Sequence, residues 1–376
     1  MISWRAGRVV SIGRRWPGAV ELTVVVESAP AGTSGATAGE TLRGLAYPTL
    51  VGEPVEGDRV LLNVSAQVRG LGTGGYALVV ALPDRLPPDP APGPGHLVKA
   101  RYTPLQAMVL GVDEQESDQH AALAEADSLG GMPVVVADLH SALPAVVAGA
   151  RWAAARDGRP APRVAYVMTD GGALPAWFSR TVADLRAAGW LATTVTVGQA
   201  FGGDLEAVTV HTGLLAARHV ADADLAVVAQ GPGNLGTGTR WGFSGVAAGE
   251  AVNAAGTLGG RAIASLRVSA ADPRERHQGV SHHSLTAYGR VALHPADVVV
   301  PVSDDPARAQ FLARVAADAG SLCPPHRRVD IDTPSGLRDA LAAAPVRLST
   351  MGRGLDDDPE AFLAAAAAGV HAVTAV

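Results

Sequence analysis

A single cysteine, Cys323, stands among 376 residues, which excludes an internal disulfide and every zinc or iron–sulfur site built from several thiolates. A reducing compartment fits that scarcity. Lysine is as scarce: Lys99 is the sole example, so 29 of the 30 basic residues are arginines, and the Gly-Lys-Ser/Thr ending of a Walker phosphate loop is absent. No G-x-S-x-G elbow follows any candidate strand, which removes the main sequence support for a serine hydrolase acting through Ser281 or Ser284. Aromatic residues make up only 4% against 48% hydrophobic residues, so the core must be assembled from Ala, Val and Leu. The formal charge of -6 lacks the basic excess of a nucleic-acid or anionic-lipid surface, and non-specific nucleic-acid binding is not expected. No stretch reaches the roughly 20 apolar residues of a spanning helix. The opening MISWRAGRVVSIGRRW has no unbroken apolar h-region, so a cytoplasmic location and no membrane partner are expected.

The length exceeds the roughly 250–300 residues at which single cores stop growing, so two domains are expected. Residues 1–82 read as short β-runs separated by Gly-rich turns, AGRVVSIG, AVELTVVVE, TLRGLAY, DRVLLNV and GYALVVAL. Five such strands predict a small β-barrel, since closure removes exposed sheet edges. Residues 83–95, PDRLPPDPAPGPG, hold six prolines and predict an extended spacer. From residue 96 to 376, apolar runs alternate with Ala-rich amphipathic segments, the pattern of a mainly parallel, doubly wound, Rossmann-like α/β sheet. Strands are predicted at LQAMVLGV, PVVVADLH, RVAYVMTD, ATTVTV, DLAVVAQ, AIASLRVS, DVVVPVS, RRVDID and VRLSTM. Helices are predicted at SALPAVVAGARWAAARDG, PAWFSRTVADLRAAG, GVAAGEAVNAAG, PARAQFLARVAADAG and PEAFLAAAAAG, with Pro175, Pro306 and Pro359 near their starts, where a missing N–H is harmless.

Open α/β sheets bind ligands beyond the carboxyl ends of their strands, and the polar residues there are the ones to weigh. DPRERHQGVSHHS, residues 272–284, places three histidines, two arginines, two acids and two serines within thirteen positions after a predicted strand. His277, His282 and His283 offer neutral metal ligands or acid–base groups. The plainer reading has Ser281 capping a helix while the histidines fill loop hydrogen bonds. GPGNLGTGTRWGFSG, residues 231–245, follows another strand, and Gly231, Gly233, Asn234, Gly236, Thr237 and Thr239 could cradle a phosphate. Its literal G-x-G-x-x-G lacks the acidic residue about 20 positions on that a dinucleotide fingerprint requires, and a turn packing Trp241 and Phe243 under the sheet is the structural alternative. Asp138 and His140 end PVVVADLH, and Asp170 ends RVAYVMTD, where general bases and metal ligands commonly sit and helix caps are equally frequent.

HLVKARYTPLQ, ADLHSALPAV, GPGNLGTGTRWGFSG, DPRERHQGVSHHSLTA and STMGRGLDDDP together resemble the bacterial domain-of-unknown-function family numbered thirty-eight sixty-six, of actinobacteria and firmicutes. The resemblance spans nearly the whole chain and implies no activity.

The residues favour an enzyme, a metal-assisted hydrolase or transferase acting on a small phosphorylated or nucleotide-like anion. Asp138, His140, Asp170 and the three histidines would bind a divalent ion or move protons, with Asp138, His140, His282 and His283 as metal candidates. The 231–239 loop with Arg274 or Arg276 would hold the anion. The alternative is a non-catalytic metabolite-binding or regulatory protein whose barrel docks a partner. A third reading is a structural or assembly role, with the Ala- and Gly-rich helices packing into a homodimer.

Overall fold

Alternation of apolar and polar residues decides the N-terminal architecture. In the computed structural model, which describes residues 2–72 and 74–374, strands β1 (Trp4–Trp16), β2 (Ala19–Ser28), β3 (Thr41–Ala46), β4 (Arg59–Asn63) and β5 (Ala77–Ala81) form a closed barrel in the order β1-β2-β3-β5-β4. One face of each strand points inward, and Val9, Val20, Leu22, Val24, Val60, Leu62 and Val79 fill the interior. Gly7 sits beside a bulge in β1, where a Cβ would lie 2.7 Å from the Val25 carbonyl oxygen, so only glycine allows β1 and β2 to approach there. The proline-rich stretch 83–95 is neither helix nor strand. The chain divides into two compact units, one running to Pro94 with Ala100–Met108, the other comprising Gly95–Lys99 and residues from Val109 onward.

The second unit is organised by continuous apolar runs. Its sheet consists of β6 (Pro133–Val136), β7 (Val164–Thr169), β8 (Thr193–Thr196), β9 (Leu205–Glu206), β10 (Leu225–Gln230), β11 (Arg261–Ser265), β12 (Asp297–Val302) and β13 (Arg327–Asp332). All eight pair in parallel, in the order β9-β8-β7-β10-β6-β11-β12-β13. β6, β7 and β10 are buried along their whole length, as a sheet covered on both faces requires. Side chains of neighbouring residues diverge to opposite layers: Val134 and Val136 join one core, Val135 and Ala137 the other.

Helices α1 (Leu143–Arg156), α2 (Arg180–Ala187), α7 (Ser335–Ala342) and α8 (Pro359–Thr374) cover one face. Helices α3 (Val210–His219), α4 (Ala247–Thr257) and α6 (Ala309–Gly320) cover the other, with the short α5 (His282–Thr286) and the wide turn that continues it to Val291. The alanine content of α1 and α8 has a packing consequence. A Cβ on Gly149 would lie 2.0 Å from the Ala366 carbonyl oxygen and one on Gly369 would lie 1.9 Å from that of Val146, so these helices touch backbone to backbone. Among the described residues no helix is long and apolar enough to cross a membrane.

Two predicted strands stay out of the large sheet. LQAMVLGV contributes only the short strand Ala107–Val109, and VRLSTM only Ser349–Thr350, which pairs with Arg353–Gly354. Met108 is exposed and Arg347 interrupts the other run, so neither offers two faces for burial. Conversely, β9 and helices α3 and α7 carry too short or too polar a pattern to have been predicted.

After β6 the chain runs outward through β7, β8 and β9, returns to insert β10 between β7 and β6, then proceeds the other way through β11, β12 and β13. The direction of winding therefore changes around β6, and connections leave the carboxyl ends of β10, β6 and β11 toward different sides. Such a switch point opens a crevice in a doubly wound sheet.

Candidate functional site

The segment 272–284 is fixed at its start by ion pairs. Asp272 is almost fully buried and receives both Arg274 (2.9 Å) and Arg353 (3.1 Å). The hydrogen bonds from Arg274 hold its carboxyl far below the usual carboxylate range, and Arg353 adds to the effect. Arg353 also reaches Asp358, which accepts from Ser269 Oγ and the Ala270 N–H. The chain then turns through Glu275–His277, and Gly279–Val280 pairs with Val268–Ser269. Gly279 adopts φ 69°, the left-handed region that favours glycine. Ser281 caps α5 by accepting the His283 N–H, so the plainer sequence reading of Ser281 describes it correctly.

This path brings three imidazoles together. One ring nitrogen from each of His277, His282 and His283 lies within 4.8 Å of the others, and the ring centroids are 4.4–5.0 Å apart. His277 Nδ1 lies 2.7 Å from Ser281 Oγ. Donation from this nitrogen to the hydroxyl leaves the Nε2 lone pair free, the arrangement usual for a ligating histidine. Burial pushes His277 down to about 3, reinforced by Arg267 and Arg274, and pushes His282 down to about 4, reinforced by His283 and Arg276. Both rings are therefore neutral near pH 7 and present lone pairs.

Asp138, at the end of β6, completes the cluster. It is 3% exposed, its Oδ2 lies 3.4 Å from His283 Nδ1, and Arg267 lies 3.7 Å from the same oxygen. Arg267 instead donates to His283 Nδ1 at 3.0 Å. Among the described residues four buried side-chain polar atoms lack a hydrogen-bond partner, and two of them, Asp138 Oδ2 and His282 Nε2, belong to this one cluster. A buried polar atom without a hydrogen bond typically costs about 1–3 kcal/mol, so two in one cluster are a concentrated penalty in an otherwise bonded interior.

The glycine-rich loop forms the facing wall. Phe243 is buried and stacks on His283 with centroids 3.8 Å apart and planes 3° from parallel, whereas Trp241 is exposed. Gln230 donates to the Asp138 carbonyl oxygen and to Asn234 Oδ1, while Ser244 Oγ donates to Gln230 Oε1. The ends of β6 and β10 are thereby tied to the loop. Tyr288 Oη, fully buried, lies 2.8 Å from the Val136 carbonyl oxygen and 3.1 Å from that of Ser265, bridging β6 and β11.

The other sequence candidates are placed differently. His140 is buried between Tyr166 Oη (3.0 Å) and Ser179 Oγ (2.8 Å), among residues of the α1 side, and burial pushes it down to about 4. Asp170 is exposed and accepts the Gln199 N–H, holding the turn after β8. Thr237 and Thr239 hydroxyls bond to each other and to the backbone of Gly242, closing their own loop. A Cβ on Gly231 would lie 2.5 Å from the Ala173 carbonyl oxygen, so this glycine serves a close chain crossing, and Gly236 bridges to Phe243. Gly233 adopts φ 100° with open space around it. Arg274 is committed to Asp272, while Arg276 is exposed with no ion pair among the described residues. Arg267 and Phe243 were not singled out as site residues by the sequence; the one signal for Arg267 was a charge inside the apolar run AIASLRVS.

A family model described as protein of unknown function (DUF3866) matches residues 43–369. Comparison with curated proteins and with solved structures gives no match. The matched span includes every residue of the cluster.

Proposed function

The chain belongs to the DUF3866 family of proteins of unknown function, and from its cluster of side chains we propose a metal-assisted hydrolase or transferase acting on a small anionic molecule. The observation that carries this reading is the convergence of three imidazoles, one with a buried Nε2 that makes no hydrogen bond, beside Asp138, whose buried Oδ2 accepts none. Imidazole nitrogens suit zinc and related first-row ions. His277, His282 and His283 would hold such an ion, which would supply Lewis-acid chemistry by lowering the pKa of a water toward neutral pH. Held through Nε2, His283 would carry its proton on Nδ1, 3.4 Å from Asp138 Oδ2, and this requires Arg267, which donates to that nitrogen at 3.0 Å, to turn to Asp138 instead. Arg267, 3.7 Å from the same oxygen, is placed to neutralise the pair.

Elemental analysis of the purified protein and zinc titration test this reading. Stoichiometric zinc, lost by about 100-fold in affinity in His282→Ala and His283→Ala along with hydrolysis of generic phosphoesters, is the expected result. Zinc uptake that is absent, or equal in the variants, would overturn it.

A second reading, a metal-free metabolite-binding protein, is favoured by the Arg267 hydrogen bond to His283 Nδ1, which keeps the proton on Nε2 and makes that atom a donor. It predicts tight ligand binding with no turnover under any metal. A cytoplasmic location, a homodimer and a partner-docking role for the barrel belong to these readings as proposals.

A further inference from the structure

Outside the histidine cluster, a cleft of about 700 Å³ opens between the glycine-rich loop, α5 with its continuing turn, and the end of α6. Its lining includes Arg240, Arg276, Arg290, His282 and Ser321, with no Asp or Glu. None of the three arginines makes a hydrogen bond or ion pair to another side chain among the described residues. Most other arginines of this unit have carboxylates, as Arg274, Arg308, Arg327 and Arg353 do. In a chain of net charge -6, three guanidinium groups around one acid-free cleft form a local exception.

We propose that this cleft binds the phosphoryl groups of a small phosphorylated substrate, a phosphate ester or nucleotide, and delivers it to the histidine cluster. The claim rests on the reading of that cluster as the reacting centre. His282 carries the connection, because it lines the cleft and also belongs to the imidazole trio, with its buried Nε2 lacking any partner. An anion held by the arginines therefore shares the cleft wall with the His282 ring. Guanidinium forks match phosphate oxygens in pairs, and the volume falls within the roughly 300–1,000 Å³ of small-molecule sites. The loop contributes through Arg240: the hydroxyls of Thr237 and Thr239, bonded to Gly242, stiffen the turn that presents it. Three arginines without a longer basic stripe suit a compact anion rather than a nucleic-acid backbone.

Calorimetric titration of the metal-free full chain with inorganic pyrophosphate tests the assignment, in parallel with a single-stranded oligonucleotide. Saturable pyrophosphate binding is expected, weakened about tenfold or more in Arg276→Ala/Arg290→Ala and less in Arg276→Lys/Arg290→Lys, with zinc uptake unchanged. Pyrophosphate that does not bind, that binds the alanine variant equally, or that is outcompeted by the oligonucleotide would overturn it. A protein that holds pyrophosphate through the arginines but takes up no zinc leaves the cleft assignment standing and removes the metal reading alone.

Discussion

The two segments that meet where Phe243 stacks on His283 use their polar groups in opposite ways. In the loop 231–245, Thr237, Thr239, Asn234 and Ser244 all bond within the loop or to Gln230 at its base. In the segment 272–284, Asp272, Arg274 and Ser281 are equally committed, yet His282 Nε2 has no hydrogen-bond partner, and Asp138 Oδ2 beside His283 accepts no hydrogen bond either. The first segment uses its threonines, Asn234 and Ser244 for its own shape and presents Phe243 and Arg240, while the second leaves an imidazole nitrogen unbonded. Density of polar residues was alike in both; what separates them is whether those residues satisfy one another.

The most severe way to sharpen that contrast is to disturb the loop's backbone seating. A Cβ on Gly172 would lie 2.1 Å from the Gly231 carbonyl oxygen, a backbone atom that cannot swing away. Gly172→Ala is expected to destabilise the α/β unit by about 3 kcal/mol, read as a lower denaturant midpoint. A midpoint equal to that of the parent chain would show that the loop is not seated this tightly.

A histidine whose bonds are complete supplies the next test. His140 is held at about 4 by burial, below the ordinary 6.5, so between those values the unfolded chain binds a proton that the folded chain refuses. Stability contributed by neutral His140 is present above about pH 6.5 and is lost as pH falls toward 4, by at most about 3 kcal/mol. His140→Gln should remove about one proton from the slope of stability against pH in that window. An unchanged slope would mean that His140 does not titrate as its burial between Tyr166 and Ser179 requires.

The smallest effect is expected at the threonines. Because Thr237 and Thr239 hydroxyls bond to each other and to Gly242, Thr237→Ala/Thr239→Ala should cost about 1 kcal/mol or less and change pyrophosphate affinity by less than about threefold. A tenfold loss of affinity would return those hydroxyls to the ligand and break the contrast.

Much of the fold was legible because burial imposes periodicity. Inward alternation in AVELTVVVE and TLRGLAY specifies barrel strands, and the unbroken runs in PVVVADLH and DLAVVAQ specify strands covered on both faces. LQAMVLGV and VRLSTM were misread because a short apolar run has the same pattern inside and outside a sheet. The histidine trio was legible as a group because its members lie within seven positions of one another, close enough for one turn and one cap to gather them. Arg267 and Phe243 were hidden, since each is a single residue whose neighbours come from a distant part of the chain.

His140 and His283 mark the boundary between the two kinds of information. The sequence by itself determined that histidines and carboxylates would stand at strand ends, because hydrophobic period and turn residues set where each strand stops. It determined likewise that the first domain would be β and the second α/β. Only the tertiary structure decided that β10 inserts beside β6, that Asp138 faces His283 while His140 faces Tyr166, and that three arginines share a cleft with His282. The physical reason is that Asp138 and His140, two positions apart, would share a face if the strand continued, but it stops at Val136 and the chain turns through His140–Ala142, and what waits on each side is supplied by strand order and by helices far away in the chain.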